Sequence, residues 1–129
     1  MLVVAGFVLA ACGGGDSTEG APEPTSPAGQ RGEALAENKG CLACHTVTGE
    51  RSTGPTWQGL AGSEVELADG VTVVADDDYL VRSITDPRSE VVAGYPNIMP
   101  EQDLTTDEVA DLLAYIGELS SPEVSPGGA

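Results

Sequence analysis

Cys41-Leu42-Ala43-Cys44-His45 constrains this chain more than any other stretch. Two thiols separated by two residues, with an imidazole directly after, can serve three chemistries. They can form half of a zinc site, a redox dithiol, or a staple that holds an iron porphyrin through two thioethers and one imidazole. Each choice asks something different of the rest of the sequence.

A structural zinc site takes four ligands, usually as two pairs. The chain has one histidine and three cysteines, and the third, Cys12, lies beyond a long Gly/Pro/Ser-rich stretch. A carboxylate would have to complete the set. A thioredoxin-like dithiol belongs beside a βαβ pattern, and no parallel-strand pattern is visible. C-x-x-C-H is the attachment signature of c-type haem. The thiols add to the two vinyl groups of the porphyrin, and the adjacent imidazole gives a nitrogen to the iron. The motif follows a helical stretch, the chain carries an export-like leader, and a sixth ligand is on offer. That ligand is Met99. Of the two methionines, Met1 is the start or is lost with the leader. Met99 sits in Y-P-N-I-M-P between Pro96 and Pro100, which fix the backbone of a loop. A methionine is more often a gap-filler in a core, but this one falls outside any helical stripe. Met/His ligation raises the reduction potential and closes the iron to exogenous ligands.

Composition agrees with a cofactor-centred domain. Aromatic residues make up only 4% of the chain, so large side chains for a core are few. Domains of this size often need a staple or a cofactor. The formal net charge of −16 argues against nucleic acid, because one lysine and four arginines cannot neutralise a phosphate backbone. The acidity reads either as solubility or a salty habitat, or as steering towards a basic partner.

The ends read as an address, a tether and a tail. M-L-V-V-A-G-F-V-L-A-A is apolar, uncharged and too short to span a bilayer. We expect residues 1–11 to be a secretory signal, truncated at its start because the usual positive stretch is missing. Leu9 to Cys12 resembles a bacterial lipoprotein signal, which implies cleavage before Cys12 and a lipid on its thiol; an ordinary buried cysteine is the alternative. Residues 12–30 then read as the lipidated cysteine and a flexible tether. Such a coil spans on average about 20–25 Å. Residues 120–129 have the same character and read as a disordered tail.

The globular part is expected over 31–119. A helix is predicted from Gly32 to Lys39, with Gly40 ending it. Val65, Leu67, Val71 and Val73 alternate around Ala68-Asp69-Gly70, a hairpin signal. Asp76 reads as the cap of a second helix that Pro87 ends. Thr105 and Glu108 form a capping box, and Val109, Leu112, Leu113 and Ile116 mark one face of a last helix.

With those residues in view, the chain resembles a class I c-type cytochrome. The resemblance rests on G-C-L-A-C-H, T-G-P-T-W-Q-G-L-A-G (Thr53 to Gly62), Y-P-N-I-M-P and the closing helix. L-A-D-G-V-T-V-V-A-D-D-D-Y-L-V-R-S-I-T-D-P and V-V-A-G-Y-P-N-I-M-P are similar to the cytochrome c domain fused to subunit II of some bacterial haem-copper oxidases. The resemblance implies a mainly α cytochrome c fold. Three to four short helices and one small β-hairpin would surround a single covalent haem c on Cys41 and Cys44, with His45 and Met99 as axial ligands. It implies that the Pro55 carbonyl holds the axial imidazole, although Gly54-Pro55 could be a plain turn. Relatives often balance a haem propionate with an arginine where this chain has Ser63. Trp57, Arg51 and Tyr95 are the candidates here, with core packing or solvation as the alternative. Leu112 and Tyr115 should pack on the Gly32–Leu35 face of the first helix.

The expected role is electron transfer rather than catalysis. We expect a membrane-tethered carrier on the extracytoplasmic face, in the periplasm or at the cell surface. It would run between a quinol-oxidising complex and a terminal haem-copper oxidase. A haem enzyme or gas sensor with a displaceable Met99, and a fixed accessory subunit of an oxidase, are the alternatives. One lysine cannot make a lysine-rich docking face, so partners are either basic or dock through an apolar rim.

Overall fold

The computed structural model describes residues 21–120. Cys12, the leader and most of the tether lie outside the described residues, as does the tail beyond Ser120. Along the chain come α1 (Pro27–Asn38), a 3-10 turn (Cys41–Ala43), β1 (Glu64–Glu66), β2 (Thr72–Val74), α2 (Asp77–Thr85) and α3 (Thr106–Ser120).

The first helix begins at Pro27, earlier than the expected Gly32, so residues 27–30 are helix and not tether. Part of the reason is local and part lies far away in sequence. Ser26 caps the helix by accepting from the Gly29 N–H at 2.9 Å, and Pro27 sits where its missing N–H costs nothing. The Glu118 carboxylate, on α3, then accepts from the Thr25 N–H at 2.6 Å, from the Ser26 N–H, and from the Ser26 hydroxyl. No local pattern around residues 25–30 announces that partner.

α1 and α3 cross with their backbones nearly touching. A Cβ on Gly32 would stand 2.1 Å from the Asp111 carbonyl oxygen and 2.8 Å from Tyr115 Cβ. Ala36 is fully buried one turn on, and Leu112, Tyr115, Ile116 and Leu119 supply the facing side chains. Leu112 and Tyr115 do meet the Gly32 face. The Tyr115 phenol, desolvated and near Glu33 and Glu37, is pushed up to about 12 and stays neutral. The Arg31–Asp111 pair at 2.7 Å lies on the solvent-facing rim, where water screens it and it adds little.

The other elements form where their sequence signals place them. Asp76 accepts from the Tyr79 N–H at 2.8 Å and starts α2; Pro87 follows its end. Thr105 and Glu108 exchange both capping-box bonds, at 2.8 and 3.2 Å. The strands pair antiparallel, Glu64 opposite Val74 and Glu66 opposite Thr72, across a turn in which Gly70 adopts a φ of 86°. The alternation holds on both strands, with Val73 packed against the core between exposed Thr72 and Val74, and fails only at Val71. Val65 and Leu67 are buried, while Val71 is 52% exposed. β1 then continues its pairing with the next segment of chain. Leu67 bridges Val92, the Ala68 N–H donates to the Val91 carbonyl at 2.8 Å, and the Ala93 N–H donates to the Glu66 carbonyl at 2.9 Å. The hairpin thus anchors the start of the loop that carries Met99.

Candidate functional site

Gly40, with a φ of 74°, turns the chain out of α1 and into the 3-10 turn. The Cys44 and His45 N–H groups both donate back to the Cys41 carbonyl, at 3.2 and 3.0 Å. That tight turn brings Cys41, Cys44 and His45 to the wall of one cavity of about 240 Å³. Met99 lines the same cavity, together with Pro96 and Pro100. Residues more than fifty positions apart in sequence therefore share one chamber. Leu60, Leu80, Ile84, Val92 and Ile116 give it apolar walls.

The imidazole is held on three sides. Its Nδ1 lies 2.7 Å from the Pro55 carbonyl oxygen. A carbonyl only accepts, so Nδ1 carries the proton and Nε2 keeps a free lone pair. Trp57 stacks on the ring with centroids 5.3 Å apart and meets Tyr115 edge-on at 6.2 Å. Gly54 covers a further side, where a Cβ would lie 2.6 Å from the ring's Cε1. Burial lowers the His45 pKa and the Pro55 bond offsets part of that, which favours the neutral ring that can bind a metal. Burial pushes the Cys41 thiol up, with its own backbone and Lys39 opposing.

The three propionate candidates separate. Trp57 and Tyr95 line the cavity; Arg51 does not. The Arg51 guanidinium lies 4.1 Å over the Tyr95 ring and donates to the Gly94 carbonyl. It spans two loops, one from each side of the cavity. The charged residues in the wall are Lys39 and Glu90, and Glu90 is paired with Arg82 at 3.0 Å. Sequence reasoning missed Ser83, a hydroxyl on the α2 face that also carries Leu80 and Ile84. A polar residue on an otherwise apolar helix face was the available signal.

Among the described residues no group of three or more His, Cys, Asp or Glu side chains is placed to hold a metal ion. The donors fit a porphyrin instead: two thiols and a neutral imidazole on one wall, a thioether elsewhere in it, and apolar surface between. The cytochrome c family model matches residues 29–120. The chain belongs to the cytochrome c family. No curated protein matches it. Membership fixes the fold as the mainly α cytochrome c fold, and the cofactor as covalent haem c, with one motif in one domain. The chemistry is haem-based electron transfer, and members of the family are generally carriers rather than enzymes. Among the described residues no helix is long and apolar enough to cross a membrane.

Proposed function

We propose that this cytochrome is a one-electron carrier with His45 Nε2 and Met99 Sδ as axial ligands. The observation that carries this reading is the shared cavity of Cys41, Cys44, His45 and Met99, with His45 Nδ1 already committed to Pro55. The haem supplies a one-electron Fe(II)/Fe(III) couple, and the chain does the rest. Cys41 and Cys44 anchor the ring, Pro55 and Trp57 fix the imidazole, and Pro96 and Pro100 stiffen the loop around Met99. The apolar walls exclude water and so favour the less charged, reduced state.

In this reading the protein works in a respiratory chain, tethered to the outer face of a membrane by a lipid on Cys12. Its donor is a quinol-oxidising complex and its acceptor a haem-copper oxidase, as the similarity of 67–87 and 91–100 to oxidase-fused domains suggests. Much of the cavity's exposed lining is neutral, with Thr53, Asn97 and Ile98 in solvent and Ile98 60% exposed, and Lys39 is the exposed charge beside them. Small, short-lived encounters suit such a rim.

The decisive experiment is a near-infrared and redox comparison of wild type and Met99→Ala. We expect the band of thioether-bound ferric haem in wild type, and its loss with a lowered potential in the variant. Survival of the band in the variant would remove Met99 from the ligand set. Rapid binding of carbon monoxide to reduced wild type would point to an enzyme or sensor. Mass spectrometry of the mature N-terminus tests the lipid.

A further inference from the structure

Ser83 carries the one buried side-chain oxygen or nitrogen without a hydrogen-bond partner among the described residues. It stands in the wall of the haem cavity. Helical hydroxyls ordinarily avoid this state by bonding back to the carbonyl four residues earlier. Thr85 does so, donating to the Val81 carbonyl at 2.8 Å, and Ser120 does so, donating to the Ile116 carbonyl at 2.9 Å. Ser83 declines the same bond on the same helix as Thr85. Tyr79, one turn back, lies beside it. Burial pushes the Tyr79 phenol up and Ser83 opposes part of that rise, but the two hydroxyls fall short of hydrogen-bond geometry.

A buried hydroxyl left without a partner costs more than a made bond gains. In an apolar wall between Leu80 and Ile84, that cost asks for an acceptor that the polypeptide alone does not offer. We propose that Ser83 Oγ–H donates a hydrogen bond to an acceptor brought into the cavity with the haem, and thereby raises the reduction potential. The sign follows from the dipole. A donor directs the positive end of its O–H at the acceptor and offsets negative charge in the cavity, which disfavours the extra positive charge of the ferric state. The acceptor is a buried electron pair that comes in with the haem, on a propionate oxygen; the Met99 sulfur, which the chain itself supplies to the cavity, is the competing acceptor. The inference rests on haem in this cavity and not on which side chain takes the sixth position, so it survives a failure of the Met99 assignment.

The test is a redox titration of the haem-loaded protein as wild type, Ser83→Ala, Ser83→Thr, Ser83→Cys and Tyr79→Phe, with far-ultraviolet circular dichroism as the fold check. Ser83→Ala should lower the potential. Ser83→Thr, which keeps the hydroxyl, should stay near wild type, and Tyr79→Phe should move it less than Ser83→Ala does. Ser83→Cys, with a weaker donor, should fall between, and it serves if the alanine variant fails to fold. A fall in potential that disappears at a pH low enough to protonate a carboxylate identifies a propionate acceptor. A fall that comes with a shift of the near-infrared band identifies the Met99 sulfur instead and overturns an acceptor brought in with the haem. An alanine variant at the wild-type potential overturns the proposal. So does a Tyr79→Phe variant that drops as far as Ser83→Ala.

Discussion

The two sides of the cavity are built differently. The His45 side is a chain of fixed contacts. The Gly54 N–H donates to the Cys44 carbonyl, the Trp57 N–H donates to the Thr46 carbonyl, both at 2.8 Å, and Trp57 joins the imidazole to Tyr115 in the α1–α3 core. The Met99 side is a loop hung from two ends. It starts at the Leu67–Val92 bridge and ends at the Thr105 cap, and between them no helix or strand forms. Arg51 straps its first residues, Gly94 and Tyr95, to the opposite loop. One wall is thus set by packing and the other by backbone stiffness at prolines plus one cation–π contact. The lesson is that, under the proposed ligation, the His45 and Met99 sides should differ in how easily they open, with the Met99 side opening first.

That asymmetry can be broken from the rigid side. Gly32→Val would drive its branched side chain into the Asp111 carbonyl, where even a Cβ stands at 2.1 Å. Backbone must move, so we expect about 3–5 kcal/mol of destabilisation or no folded protein, read by denaturant titration. Gly54→Ala puts a methyl 2.6 Å from the His45 ring. A tilted imidazole and about 2–3 kcal/mol of lost stability should follow, with a changed ferric spectrum as the second readout.

Smaller effects sharpen the comparison. Glu118→Ala removes the acceptor shared by Thr25 and Ser26 and should cost about 1 kcal/mol near neutral pH. The bond to Ser26, opposed by slight burial and helped by Thr25, holds the Glu118 carboxyl below its ordinary 4.5. A depressed folded-state pKa means this contribution is complete above pH 4.5 and fades as pH falls through the folded value. Wild type and variant stabilities should therefore converge in acid, as chemical denaturation at several pH values will show. Arg51→Ala should change global stability by only about 0.5–1 kcal/mol. Imidazole should nevertheless displace the sixth ligand several-fold faster in stopped-flow mixing. Equal rates would mean the strap does not restrain the Met99 loop.

Much of this was legible in the sequence wherever the signal was local. The Asp76 cap, the Thr105–Glu108 box and the Asp69-Gly70 turn each act within a few residues, and each formed as read. The cavity residues were legible because their chemistry is rare in this chain: one histidine, one internal methionine, one C-x-x-C pair. What stayed hidden depends on contacts between distant segments. The start of α1 at Pro27 is supported by Glu118, and the fate of Arg51 by Tyr95. Ser83 offered only the signal of a polar residue on an apolar face, since only the packed helix shows which hydroxyls bond back and which do not.

The Glu118 contact carries one more consequence. It places Thr25, where the domain's chain comes in, beside the last turn of α3, where it goes out. A unit whose two ends emerge at one spot behaves as a plug. It can be spliced into a longer polypeptide, or joined end to end, with short connectors and little loss of loop entropy.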